Sequence, residues 1–201
     1  MDPISTIVGT AAPLPRANVD TDQIMPKQFL KRVERTGYGE FVFWDWARLP
    51  DGSPDPAFVL NKPEYAGASI LLAGPNFGSG SSREHAPWGL QDWGFRAVIA
   101  PSFADIFFNN SCNIGLLPVV LAEKEVRYLV ELAEADPSAE VSVSLVDLTV
   151  TAEGFETRFH LDESRRHRLR NGLDAIGVTL SHADEIAAFE AARLSHKPVL
   201  A

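Results

Sequence analysis

Ser69-Ile70-Leu71-Leu72-Ala73-Gly74-Pro75-Asn76-Phe77-Gly78-Ser79-Gly80-Ser81-Ser82-Arg83-Glu84-His85 is the stretch on which the fold turns. An apolar run of strand length ends at Gly74-Pro75, and a Gly/Ser-rich loop then leads into a helical pattern reaching about residue 93. A strand that passes through such a loop into a helix is the opening half of a βαβ unit, and α/β folds place anion sites at that junction. The pattern repeats downstream: Ala97–Ala100 reads as a second buried strand, Phe103–Cys112 as a helix, Leu116–Leu121 as a third strand, and Glu123–Ala135 as a helix stopped by Asp136-Pro137. Strands alternating with helices predict an α/β sheet with parallel neighbours.

Outward from this centre the pattern weakens. The first 25 residues read as loop, because Pro13, Pro15 and the polar run Asn18-Val19-Asp20-Thr21-Asp22 interrupt any period. A short helix or turn is expected over 26–35, a helix packed through Phe41 and Trp44 over 40–47, and a surface connection from Pro50 to Pro63. On the C-terminal side, Val141, Val143 and Leu145 alternate with Ser142, Ser144 and Val146, and Glu153-Gly154 turns into Phe155–Phe159, so 141–159 reads as a hairpin. Helices at about 163–171 and 181–194 complete one mixed-sheet domain over 1–201, with Arg165-Arg166-His167-Arg168 as an exposed helix face.

The composition removes several functions. The chain has 201 residues and a net charge of −9, with no long Lys/Arg block, which argues against nucleic acid as a partner. A small anionic substrate needs only one or two placed cations and stays open. No apolar run approaches the roughly 20 residues that span a bilayer, and the N-terminus lacks signal-peptide features, so a cytoplasmic protein is expected. Cys112 is the single cysteine, read as a small buried hydrophobe on a helix; one thiol cannot hold an iron–sulfur cubane, and no metal is expected on this chain.

Two segments can do chemistry. In the loop, two glycines allow close backbone approach, helix N-terminal N–H groups attract negative charge, and Arg83 offers a fork matched to a carboxylate, with Ser81 and Ser82 beside it. Ser81-Ser82-Arg83-Glu84 equally fits a capping box, which would make Ser81 only a helix cap, although Pro87 would then lie inside the helix. In the N-terminal segment, Asp20 and Asp22 can bind a metal, orient an arginine or form Asx-turns, and Lys31, Arg32 and Arg35 follow as cations.

Asn18-Val-Asp-Thr-Asp-Gln-Ile-Met-Pro-Lys-Gln-Phe-Leu-Lys closely resembles the opening of bacterial 3-isopropylmalate dehydratase small subunits. So do Asn76–Trp88, Ile99-Ala-Pro-Ser-Phe-Ala-Asp-Ile-Phe, Arg165-Arg166-His167 and Asn171-Gly-Leu-Asp-Ala-Ile-Gly, in the expected order over nearly the whole chain. The resemblance implies a swivelling β/β/α domain of the aconitase type and a hydro-lyase that interconverts 2- and 3-isopropylmalate in leucine biosynthesis. It implies a large-subunit partner carrying a [4Fe–4S] cluster whose open iron binds the substrate hydroxyl and a carboxylate. By motif position it makes Ser81 the base, as an alkoxide, and Arg83 a carboxylate grip, with Ser82 beside them; Asp20, Thr21, Asp22, Glu84 and His85 support the site. The segment after Pro26 is where relatives differ by substrate: Phe29 and Leu30 are expected to line an isopropyl pocket, and Lys31 or Arg32 would suit a third carboxylate. A sister hydro-lyase acting on citraconate or homoaconitate, and a non-catalytic anion-binding subunit, remain as alternatives.

Overall fold

The computed structural model describes residues 1–31 and 36–193. Among them seven strands, β1 (Thr6–Leu14), β2 (Ile70–Ala73), β3 (Ala97–Ala100), β4 (Leu117–Val120), β5 (Glu140–Ser144), β6 (Thr149–Ala152) and β7 (Phe155–Arg158), form one mixed sheet in the order β4-β3-β2-β1-β5-β6-β7. β1 to β4 are mutually parallel, with Ala11 opposite Ile70, Ile70 opposite Ala97 and Ala97 opposite Leu117. β5 pairs antiparallel with β1, Thr6 opposite Ser144, and β6 and β7 continue antiparallel.

The apolar runs are continuous because both faces of the parallel half are covered. Leu71, Ala73, Val98 and Ala100 point into one core with Ile24, Tyr38, Phe43, Phe77, Leu90 and Phe107. Their neighbours Ile70, Leu72, Ala97 and Ile99 point into a second core with Val126, Leu129 and Leu169. Helices α1 (Thr21–Ile24), α2 (Trp44–Ala47) and α3 (His85–Trp93) close the first core, and α5 (Glu123–Ala135) and α6 (Glu163–Asn171) the second. Helix α4 (Asp105–Ile114) serves both, sending Phe107 into the first and Cys112 into the second. On α5, Val126, Leu129, Val130 and Ala133 form the i, i+3, i+4, i+7 stripe that such docking requires. Helices α7 (Ala175–Leu180) and α8 (Ala183–Ala191) follow, and the described residues contain no helix long and apolar enough to cross a membrane.

Several expectations are corrected. The N-terminal loop is in part the nine-residue strand β1, at the centre of the sheet. Pro13 fits there because β5 leaves β1 after Thr10, so beyond that point β1 has a strand on one side only and a missing N–H is tolerated. The helix over 40–47 is broken by Phe43, which takes φ +53° while its N–H donates to the Ile24 carbonyl at 2.9 Å. Phe43 is the fully buried aromatic of this segment; Phe41 and Trp44 are half-buried. The expected hairpin is a three-stranded meander with an additional turn at 145–148, where Leu148 adopts φ +56°. The expected helix at 181–194 is the shorter α8, preceded by α7.

The Arg165–Arg168 face is also not a solvated one. Arg166 donates from Nε to the Leu145 carbonyl (2.9 Å) and from Nη2 to the Val146 carbonyl (2.7 Å), capping the turn between β5 and β6. Arg165 and Arg168 donate to Asn109 (2.9 Å) and Asn113 (3.1 Å) of α4. The basic cluster is therefore a latch that fixes α6 to both halves of the molecule. Arg166→Met is expected to lower unfolding stability by about 1–3 kcal/mol in a denaturant titration, because two carbonyls lose charge-assisted donors; an unchanged midpoint would mean that water replaces the guanidinium without loss.

Candidate active site

Parallel neighbours release their C-terminal loops at the same sheet edge, so the segment after β1 and the Gly/Ser loop after β2 lie side by side. They are stitched together residue by residue. The Asn18 N–H donates to the Pro75 carbonyl (2.9 Å), the Gly78 N–H to the Val19 carbonyl (2.7 Å) and the Thr21 N–H to the Ser79 carbonyl (2.8 Å). Asn76 Nδ2 adds a bond to Asn18 Oδ1 at 2.9 Å. Gly78 is obligatory: its φ is +75°, and a Cβ there would sit 2.1 Å from Phe107 Cγ.

The three residues expected to support the loop each hold one part of it. Asp20 caps α1, its Oδ1 accepting from the Gln23 N–H (2.8 Å) while Gln23 Oε1 accepts from the Asp20 N–H (3.0 Å), a reciprocal capping box. Thr21, only 1% exposed, clamps Ser81: its Oγ1 donates to the Ser81 carbonyl (3.2 Å), accepts from the Ser81 N–H (3.2 Å) and lies 3.5 Å from the Ser81 hydroxyl. Asp22 forms an ion pair with Nη1 of Arg83.

Ser81 itself does not cap a helix. α3 starts at His85 with Glu84 as the residue before it, and no side chain caps that end. Pro87 thereby falls in the first helical turn, where its missing N–H costs no intrahelical bond, which is why the Ser81–Glu84 capping box does not form. Ser81 and Ser82 are exposed, and among the described residues neither the Ser82 nor the Arg83 N–H has a backbone acceptor. The Ser82 carbonyl accepts from Asn110 Nδ2 at 3.4 Å.

Glu84 is exposed, whereas His85 is half-buried between the rings of Tyr38 (5.3 Å) and Trp88 (4.9 Å). Burial holds the His85 imidazole below its ordinary value; Arg83 pushes the same way and Glu84 opposes. His85 is thus a packing group at the root of α3, neutral at pH 7. Burial likewise pushes the Cys112 thiol up to about 12, so it is inert.

The loop faces an open cleft of about 450 Å³ lined by Asp22, Pro26, Lys27, Gln28, Asp45 and Arg83. Phe29 and Leu30 do not line it: Phe29 stacks on Phe41 at 4.2 Å and meets Trp44 edge-on at 5.1 Å, and both residues pack against the first core. Lys31 is exposed and outside the lining, and Arg32 lies outside the described residues. Lys27, Gln28, Asp45 and Asn110 were not singled out from the sequence; the rigid turn implied by Pro26 is the signal that could have drawn attention to the first two, and Asn110 carries none. Among the described residues no three His, Cys, Asp or Glu side chains converge on a metal position, so the side chains here do not fit an iron–sulfur cluster.

A parallel core that carries a serine and arginine loop, covered by helices and extended by a meander, defines a class: the aconitase C-terminal domain family matches residues 1–124. Residues 176–201 match the family of C-terminal domains of the 3-isopropylmalate dehydratase small subunit. The small subunit of 3-isopropylmalate dehydratase from Halalkalibacterium halodurans is 54% identical over 195 residues, covering 96% of this chain and 100% of that one. The corresponding proteins of Rhodopirellula baltica (57% over 187 residues; 92% and 95%) and Neisseria meningitidis (52% over 210 residues; 100% and 99%) are similarly close. A crystal structure of 3-isopropylmalate dehydratase from Methanocaldococcus jannaschii shares the fold, with a TM-score of 0.65 at 24% identity over 92% of this chain and 99% of that one. The chain belongs to the family of 3-isopropylmalate dehydratase small subunits.

In an NMR titration His85 is expected to change protonation below 6.5, its unperturbed value. The folded value lies below the unfolded one, so this contribution to stability is complete above about 6.5 and is lost as the pH falls through the folded value. A midpoint at or above 6.5 would show a solvated ring.

Proposed function

We propose that this chain is the small subunit of the hydro-lyase that interconverts 2-isopropylmalate and 3-isopropylmalate in leucine biosynthesis, acting in a site completed by a large subunit. The observation that carries the proposal is the clamped loop: Ser81 and Arg83 lie two positions apart on it, each fixed by a different residue of the N-terminal segment, Thr21 and Asp22, and Arg83 lines the cleft. The names of full-length relatives supply the substrate. The [4Fe–4S] cluster is assigned to the large subunit, because this chain has a single cysteine and a cubane needs three or four thiolates.

The chemical task is to take a proton from a carbon next to a carboxylate, a weak acid. Ser81 Oγ accepts that proton as an alkoxide, and the leaving hydroxide departs on the large-subunit side. A serine hydroxyl does not ionise unaided, so the loop has to stabilise the anion with the Arg83 charge and with N–H groups that have no other acceptor. Arg83 grips one substrate carboxylate, and Asp22 fixes the guanidinium plane so that its fork is presented rather than searched for. Ser82 lies beside the same carboxylate. Hydration of the unsaturated intermediate then adds hydroxide to the carbon that lost the proton and a proton to the carbon that lost the hydroxide, which gives the other isomer.

The test is ultraviolet-monitored conversion of 3-isopropylmalate to the unsaturated acid, with this chain mixed anaerobically with its cluster-loaded large subunit and each subunit assayed alone. Turnover is expected only in the mixture, and Ser81→Ala is expected to reduce kcat by about three orders of magnitude or more without preventing assembly. Near-normal turnover in the Ser81→Ala complex would make the loop a binding element only. Faster turnover of citraconate or homoaconitate than of isopropylmalate would transfer the assignment to the corresponding sister enzyme.

A further inference from the structure

We propose that Lys27 is the second carboxylate-binding residue of this site, taking the substrate carboxylate that Arg83 does not hold; the inference rests on the dicarboxylate reading above. A diacid presents two anionic groups, and the cleft at Arg83 is lined by two cations, Arg83 itself and Lys27. Arg83 is committed in part to Asp22, whereas Lys27 forms no ion pair among the described residues. Asp22 and Asp45 balance the two cations, so the cleft carries no net charge and its preference for an anion must come from where Lys27 is placed.

That placement is firm. Lys27 follows Ile24 and Met25, both 0% exposed, and the buried Pro26. It opens a 3-10 turn, Lys27–Phe29, closed by the Phe29 N–H on the Pro26 carbonyl (3.1 Å) and the Leu30 N–H on the Lys27 carbonyl (3.2 Å). Phe29 is pinned by its stack on Phe41, so the turn divides its residues: Phe29 and Leu30 go to the core, and Lys27 and Gln28 go to the cleft. A cation on a preorganised mount loses less freedom when it binds, and Gln28 adds an uncharged donor beside it. A second open depression, of about 490 Å³ beside α4, holds Arg165, but that guanidinium is bonded to Asn109 at 2.9 Å and lies 4.0 Å from the Asp162 carboxylate, whereas Lys27 has no ion pair among the described residues.

The experiment compares Lys27→Met, Lys27→Arg and, as a charge-matched control on α5, Lys124→Met, each in complex with the large subunit. Lys27→Met is expected to raise KM for isopropylmalate by about 10- to 100-fold, the loss of one charge-assisted contact, with kcat changed far less and an unchanged melting curve. Lys27→Arg should recover most of the affinity, and Lys124→Met should match wild type. An unchanged KM in Lys27→Met with an active wild-type complex overturns this inference and leaves the reading of the site intact. A lowered melting temperature or weakened assembly that Lys27→Arg does not restore also overturns it, by making Lys27 structural. A wild-type complex that turns over none of the diacids overturns both.

Discussion

Parallel pairing of β1 with β2 is the constraint on which the rest of the molecule depends. Antiparallel neighbours would send the two loops to opposite ends of the sheet. Parallel ones bring residues 18–22 against residues 76–83, although Thr21 and Ser81 are 60 positions apart. The polar contacts between the two loops follow from that adjacency: the backbone bonds, the Thr21 clamp and the Asp22–Arg83 pair. The helices stabilise this arrangement from both faces, and α6 ties the meander and α4 to it through its arginines.

The site is economical in its charges. Arg83 is only partly exposed, and among the described residues its guanidinium is held through Nη1 by Asp22. His85 packs between Tyr38 and Trp88 at the root of α3, with burial holding its imidazole below its ordinary value, and the Cys112 thiol is buried in the second core. Thr21 is the least conspicuous member of the set. As one of the two buried polar or charged side chains of the described residues, it spends its hydrogen bonds on the backbone of the exposed Ser81.

The parallel core was legible in the sequence because a strand buried on both faces needs an unbroken apolar run, and Ile70–Ala73 and Ala97–Ala100 have one. The loop was legible because Gly78 and Gly80 mark a backbone that side chains cannot follow. β1 was not, since Pro13 and small residues such as Gly9 hide a strand whose fit depends on where β5 ends. The meander was missed for a local reason: its extra turn is carried by Asp147 and Leu148, and a leucine at positive φ is no turn signal. The α6 arginines looked solvated because their acceptors are carbonyls and amides distant in sequence, which no charge pattern can reveal. Within the site, Asp22 was identified with three roles open, and only the position of Arg83 selects one of them.

The exposed connection around Asp51-Gly52 separates the chain into two stretches that meet again in the sheet and in the loops that leave it. One carries Thr21, Asp22 and the Lys27 turn; the other carries Ser81 and Arg83. The two sides of the cleft are therefore written on different lengths of the same polypeptide, joined by hydrogen bonds rather than by proximity along it. Such a division lets the Lys27 turn change in sequence while the Gly/Ser loop stays as it is, because the two share contacts and not a segment.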